Sequence, residues 1–130
     1  MVAETDGSVS RRRLYLARMT DCGSEAAAAA CRSAGLDAVA LPPPDAASLA
    51  LGARYLSGDE CLPAKVTLGD YLKVALQPGF DPRRSAFVMP TTEGPCRFGQ
   101  YAPAIRKILR DLELSEVLVV SPTSLTSDGK

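Results

Sequence analysis

Two of the four cysteines lie in segments whose residue types favour turns. The first cysteine loop, residues 58–65, contains Cys61, and the second cysteine loop, residues 89–101, contains Cys96 together with two glycines and two prolines. Glycine and proline interrupt strands and helices, so tight turns are predicted in both segments. A cysteine on such a turn is well placed to present its sulfur to a ligand.

Cys61 is predicted at the start of a helix. Apolar residues recur at roughly helical spacing from Leu62 to Leu76, and Pro63 is acceptable in a first turn. The free N–H groups and the positive end of the helix dipole lower the pKa of a thiol placed there. Lys65, one turn further on, either adds positive charge near that sulfur or is an exposed helical lysine.

The composition excludes several classes of site. Lysine plus arginine and aspartate plus glutamate each number 15, so no overall positive charge attracts nucleic acid or an anionic membrane. The chain has no histidine, which excludes Cys-His and Ser-His nucleophilic sites and histidine-containing zinc sites within it. Glu60 and Glu93 flank the cysteines and would suit a hydrolase acid and base, although we favour a role in accepting N–H groups of the turns.

Cysteine spacing and apolar content indicate the cellular setting. No CxxC pair occurs, the first eight residues are not an apolar signal segment, and no apolar run approaches the length of a membrane helix. These features predict a soluble cytoplasmic protein with reduced thiols. Cys31, among alanines, is expected to be a buried small side chain, and Arg11 to Arg13 form either a solvated strand entrance or a phosphate contact.

Strand and helix patterns alternate along the chain. Strands are predicted at 14–19, 36–41, 85–89 and 116–120, and helices at 24–34, 45–57, 62–76 and 100–112. This alternation is typical of a parallel sheet with helices on both faces, a three-layer Rossmann-like or flavodoxin-like domain over 11–122. Residues 1–10 are predicted to be a disordered tail, and residues 123–130 a tail or linker. Ligands of such sheets bind at the carboxyl ends of strands, where Cys22, the second cysteine loop and Ser121 are expected.

Both cysteine loops carry a recognisable motif. The run Glu60-Cys61-Leu62-Pro63 and the run Gly94-Pro95-Cys96-Arg97-Phe98-Gly99-Gln100-Tyr101 resemble the iron-sulfur region of the large activator-like proteins in the 2-hydroxyacyl-CoA dehydratase and activator superfamily. The resemblance extends with decreasing strength over residues 14–122. It implies that Cys61 and Cys96 bind a 4Fe–4S or double-cubane cluster, with Lys65, Arg97 and Gln100 near the cluster or a phosphate.

The resemblance also implies partners. Low-potential electron transfer in that superfamily is driven by ATP hydrolysis in a separate ATPase domain or subunit, and a four-iron cluster needs at least three protein ligands. The chain offers two cysteines in matching loops, so a further domain is expected to supply the rest, with Cys22 as a possible local substitute. On this interpretation the chain is one part of an iron-sulfur dehydratase or reductase and is not catalytic alone.

A second interpretation stays open. The same sheet edge suits a cluster-free Rossmann-like binding or assembly module for a nucleotide, CoA or a partner subunit. Neither GxGxxG nor GxxxxGK follows the first predicted strand, so no phosphate-binding motif favours that alternative.

Overall fold

The computed structural model describes residues 9–122. The predicted tails, residues 1–10 and 123–130, lie almost wholly outside this range, and the described chain begins with a 3-10 helix at Val9–Arg11. The strands are β1 (Arg13–Leu16), β2 (Ala38–Ala40), β3 (Ser85–Val88) and β4 (Leu118–Val120), and the helices are α1 (Asp21–Ser33), α2 (Ala46–Tyr55), α3 (Leu62–Ala75) and α4 (Tyr101–Asp111).

The four strands form one parallel sheet in the order β2-β1-β3-β4. In the register of the two central strands, Leu14 lies beside Ala86 and Tyr15 beside Phe87. This order is that of flavodoxin-like folds, in which the connections from β1 and from β3 leave the sheet in opposite directions. The predicted three-layer α/β fold is confirmed.

Alternate residues of β1 point to opposite faces of the sheet. Leu14 and Leu16 pack with Ala28 of α1, whereas Tyr15 packs against the larger cluster that contains Tyr71 of α3 and Ile105 of α4. Helix α1 therefore covers one face, and α3 and α4 cover the other. The cysteine loops that precede α3 and α4 are on the same side of the sheet.

The start of α1 differs from the prediction. The N-cap is Thr20, whose side chain accepts a hydrogen bond from the Gly23 amide, and not Ser24. Ser24 is buried and donates through Oγ to the carbonyl of Ala17 at 3.1 Å. Strand β1 also ends at Leu16 instead of Met19, because the chain turns at Ala17, whose carbonyl accepts from the Met19 amide at 3.0 Å.

Helices α2 and α3 pack closely together, and the first cysteine loop connects the end of α2 to the start of α3. As predicted, Asp45 is the N-cap of α2, and it forms a capping box with Ser48. Lys73 of α3 donates to the Asp45 carboxylate at 2.9 Å. Hydrogen bonds from Lys73 and from Ser48 lower the pKa of Asp45 to about 2, so the cap is ionised at neutral pH.

Candidate functional site

Cys61 and Tyr101 join the starts of two neighbouring helices. Cys61 is the N-cap of α3, as predicted, and Tyr101 is the first residue of α4. The Cys61 Sγ and Tyr101 Oη atoms are 2.7 Å apart, across 40 residues of sequence. This hydrogen bond brings the two cysteine loops together at one point.

The contacts of Cys61 favour its thiolate. The hydrogen bond from Tyr101 lowers the pKa of the Cys61 thiol, and the Ala64 amide and the positive charge of Arg97 act in the same direction. Burial raises the pKa of Tyr101, as do its hydrogen bond to Cys61 and the negative charges of Cys61 and Cys96. The tyrosine hydroxyl therefore stays protonated, and it donates a hydrogen bond to the sulfur when Cys61 is ionised.

The first cysteine loop is held by Glu60. Its carboxylate accepts from the Ser57 hydroxyl at 3.0 Å and from the Gly58 amide at 3.0 Å, and these bonds, with Glu60's own amide, lower the pKa of Glu60. Gly58 has a φ of 110°, which favours glycine. The turn-stabilising role predicted for Glu60 is confirmed, whereas Glu93 is exposed and its carboxylate accepts no hydrogen bond from residues 9–122.

Arg97 links the second cysteine loop to the first. Its guanidinium donates to the carbonyl of Asp59 at 2.9 Å. Cys96 precedes it as the N-cap of the 3-10 helix Arg97–Gln100, which leads directly into α4. The sulfur of Cys96 is exposed, and its negative charge when ionised acts on Tyr101. The first cysteine loop thus meets the second through two contacts, Cys61 with Tyr101 and Asp59 with Arg97.

A groove of about 430 Å³ opens between α3 and α4 beside Cys61. We call it the thiol groove. Its wall is largely apolar, and its polar lining residues include Arg97, Gln100 and Tyr101. Lys65 does not line the groove, because its Nζ lies 3.4 Å from the carbonyl of Gly58, on the first cysteine loop. Of the three residues predicted to face a cofactor, Arg97 and Gln100 line the thiol groove. Lys65 lies outside it and points to the backbone of the first cysteine loop.

The crevice between the carboxyl ends of β1 and β3, where flavodoxin-like folds bind ligands, is occupied by a side chain. The hydroxyl of Tyr71 accepts from the Ala17 amide at 3.2 Å and donates to the carbonyl of Val88 at 2.5 Å. Tyr71 is fully buried. The candidate site therefore lies beside α3 and α4 and not between these two strands.

The donor atoms fit an iron-sulfur cluster in kind but fall short in number. Thiolates are the soft, anionic ligands that iron-sulfur clusters require, and Cys22, Cys61 and Cys96 are all free and exposed. Within residues 9–122, however, no three cysteine, histidine or acidic side chains are grouped closely enough to hold a metal ion. Cys22 lies in the first turn of α1, which covers the opposite face of the sheet, and Cys31 is half-buried.

Tyr101 is a site residue to which the sequence analysis assigned no role. It stands at the end of the second motif, but nothing in its local pattern indicates which sulfur it meets. Fold and site together define a flavodoxin-like α/β domain in which the N-cap residue of α3 is a cysteine whose thiol is hydrogen-bonded to a tyrosine. No family model matches the chain, and no curated protein or solved structure is significantly similar to it.

Over residues 9–122, every helix is too short or too polar to cross a membrane.

Tyr101→Phe is expected to raise the pH at which Cys61 becomes reactive. The variant keeps the ring, which packs edge-on against Phe98 at 5.1 Å between centroids, and removes the hydroxyl that lowers the Cys61 pKa. Alkylation by iodoacetamide at a series of pH values, followed by peptide mass spectrometry, gives the midpoint for each cysteine. The midpoint for Cys61 should move to higher pH while that for Cys22 stays unchanged. An unchanged Cys61 midpoint would show that the hydroxyl does not act on the sulfur.

Proposed function

We propose that this chain is the thiolate-bearing domain of an iron-sulfur protein of the 2-hydroxyacyl-CoA dehydratase and activator type. Cys61 and Cys96 would be its cluster ligands. The remaining ligands would come from a further domain or subunit, and an ATPase activator domain or subunit would drive the electron transfer. The chain would then take part in ATP-coupled, low-potential electron transfer without being catalytic alone.

One observation carries the proposal: the Cys61 sulfur is hydrogen-bonded to the Tyr101 hydroxyl, and Cys96 begins the short 3-10 helix that leads into α4 at Tyr101. Both residues are exposed and neither forms a disulfide, so a cluster held on a partner would reach them without unfolding the domain. The lowered pKa of Cys61 favours the ionised form that binds iron. A bound cluster would supply one-electron transfer.

The surroundings would adjust how readily such a cluster accepts an electron. The Tyr101 hydroxyl would donate to the Cys61 sulfur, and Arg97 would place a positive charge nearby. Hydrogen bonds and positive charge at a ligating sulfur stabilise added negative charge, and this stabilisation raises a reduction potential. The apolar wall of the thiol groove would limit access of water from that side.

The thiol groove also favours the cluster-free alternative. A concave, mainly apolar surface with polar groups at Arg97 and Gln100 has the character of a site for a small molecule or a partner segment. In this second function Cys61 would be a contact residue and no metal would bind. The two functions differ in whether the thiols take up iron and sulfide.

Anaerobic reconstitution with ferrous iron and sulfide tests the first function. Dithiothreitol is included because its thiolates complete the coordination that two protein cysteines leave unfilled. The chain should gain iron, sulfide, a broad visible absorption band and, after reduction, an electron paramagnetic resonance signal. Cys61→Ser combined with Cys96→Ser should remove all of these, because serine lacks the soft sulfur ligand.

Two single variants serve as controls. Cys31→Ser alters a half-buried thiol of α1 and should leave iron uptake unchanged. Cys22→Ser tests whether Cys22 is a local substitute ligand. Replacement of a ligand would lower the iron content, whereas replacement of a thiol that does not bind iron would leave it unchanged. If the parent chain takes up no more iron than the double variant, the cluster proposal fails and the binding module is favoured.

A further inference from the structure

Four arginines line a second groove at the opposite edge of the sheet. This arginine groove, of about 690 Å³, contains Arg12, Arg83, Arg106 and Arg110 together with Glu116. Three of these residues lie one or two positions before a strand: Arg12 before β1, Arg83 before β3 and Glu116 before β4. The groove therefore lies at the amino ends of three adjacent strands. Arg106 and Arg110 reach it from successive turns of α4.

Backbone carbonyls hold two of these guanidinium groups, and an exposed carboxylate pairs with a third. Arg12 Nη1 lies 3.1 Å from the Pro82 carbonyl, 3.1 Å from that of Ser85 and 2.7 Å from that of Glu116. Arg106 donates to the carbonyl of Val119 at 3.0 Å. Arg83 forms an ion pair with Glu116. Among residues 9–122, no carboxylate forms an ion pair with Arg12 or Arg106, so their positive charges are not offset by an acidic partner.

Arg110 differs from the other three. Its side chain is exposed, and it has no hydrogen-bond or ion-pair partner anywhere in the described part of the chain. It lies one turn of α4 beyond Arg106, so both project toward the same groove. Arg110 is therefore free to close on a ligand that the fixed arginines position.

The charge in the arginine groove is unbalanced. Four arginines and the single carboxylate of Glu116 leave a net charge of three positive among the charged residues that line it, although the whole chain has a net charge of zero. The adjoining groove, which shares Arg12, is lined by four arginines and two aspartates, which leave a net charge of two positive. The positive charge at this end of the sheet thus extends over both grooves and is highest in the arginine groove.

We propose that the arginine groove binds a ligand that carries two linked phosphate groups. Planar guanidinium groups bind phosphate oxygens in pairs, with geometry that lysine does not offer. A concave site with a net charge of three positive suits a diphosphate better than a single carboxylate. The diphosphate is either free inorganic pyrophosphate or the diphosphate of a nucleotide, and these two sources share the same contacts.

Isothermal titration calorimetry of the full chain with inorganic pyrophosphate, and separately with ADP, tests this site. Arg110→Gln should weaken pyrophosphate binding by about tenfold, because it removes one charged pair of hydrogen bonds. Arg54→Gln removes the same charge from an exposed position of α2, outside both grooves, and should change the affinity less than twofold. Tighter binding of ADP than of pyrophosphate would assign the site to nucleotides, and tighter binding of pyrophosphate would assign it to the free diphosphate.

Three outcomes would overturn the proposal. The first is the absence of saturable binding of either probe to the parent chain. The second is an equal loss in Arg110→Gln and Arg54→Gln, which would indicate attraction by overall charge alone. The third is tighter binding of a polyglutamate peptide than of both phosphate probes, which would make the groove a docking surface for an acidic polypeptide. Arg110 has no structural partner, so loss of folding would not obscure these results.

Discussion

Gly69→Ala is expected to lower the free energy of unfolding by about 2 kcal/mol. A Cβ atom at position 69 would lie 1.7 Å from the carbonyl oxygen of Ser48 and 2.5 Å from its carbonyl carbon. These are backbone atoms of α2, so no side-chain rotation relieves the contact and the two helices must separate. Overpacking of this kind costs up to about 3 kcal/mol, which exceeds the gain of about 1 kcal/mol from alanine in a helix.

The same helix pair predicts a second effect near the site. Gly52 lies on the α2 side of this contact. A Cβ atom added at position 52 would lie 1.7 Å from the carbonyl oxygen of Lys65 in α3. Lys65 is one turn from Cys61, so separation of the helices would shift Cys61 relative to Tyr101. Both Gly52→Ala and Gly69→Ala should therefore raise the pH midpoint of Cys61 alkylation as well as lower stability.

Urea unfolding followed by circular dichroism measures the loss, and Gly23→Ala is the matched control. Gly23 lies in the first turn of α1, where an added Cβ would meet the Thr20 hydroxyl at 2.3 Å. That hydroxyl is at the end of a side chain that can rotate, and loss of its N-cap bond costs about 1 kcal/mol. If Gly69→Ala loses no more stability than Gly23→Ala, the close packing of α2 on α3 is wrong.

The fold was predictable because its signals are local. Alternating apolar runs and helix caps indicated every α-helix and strand of residues 9–122, though none of the 3-10 helices, and the alternation of the two types indicated a parallel sheet. The Asp45 cap and the position of Cys61 at the start of α3 depend on neighbouring residues only. Such features follow from backbone hydrogen-bonding needs at helix ends, which a sequence displays directly.

Element ends were less predictable where distant residues decide them. The pattern continued β1 to Met19, but Ala17 leaves the strand because its amide bonds to Tyr71 and its carbonyl to Ser24. Residue 71 is 54 positions away from Ala17. Propensity and period cannot reveal a partner at that separation.

The same limit applies to the two grooves. The cysteine loops were recognisable, whereas the bond between Cys61 and Tyr101 depends on how α3 and α4 pack. The arginine groove combines Arg12, Arg83 and Arg106, which are far apart in sequence. Of the interpretations offered for Arg11 to Arg13, a solvated strand entrance does not describe Arg12, which is half-buried and binds three carbonyl groups.

Tyr71→Phe is expected to lower the free energy of unfolding by about 3 kcal/mol. The variant keeps the ring, which stacks on Phe87 at 4.5 Å between centroids, and removes only the hydroxyl. The Ala17 amide and the Val88 carbonyl then lose their partner at the buried ends of β1 and β3. An unpaired buried donor or acceptor costs about 1 to 3 kcal/mol.

The control for this variant is Tyr55→Phe. Tyr55 is half-buried and its hydroxyl forms no hydrogen bond with the residues that the structure describes, so its loss should change stability by about 0.5 kcal/mol or less. Urea unfolding of both variants at neutral pH gives the comparison. Equal stabilities for Tyr71→Phe and Tyr55→Phe would mean that water replaces the hydroxyl without cost, and that the crevice between β1 and β3 is open to solvent.

The pH dependence separates these possibilities further. Burial raises the pKa of Tyr71 above the ordinary tyrosine value of about 10. A tyrosine whose pKa is higher when folded contributes stability that is fully present below about pH 10 and is lost as the pH rises toward the folded-state value. The parent chain should therefore lose stability above about pH 10 more steeply than Tyr71→Phe does. Parallel curves for the parent and Tyr71→Phe would place the hydroxyl in water, and the β1/β3 crevice would again be a candidate ligand site.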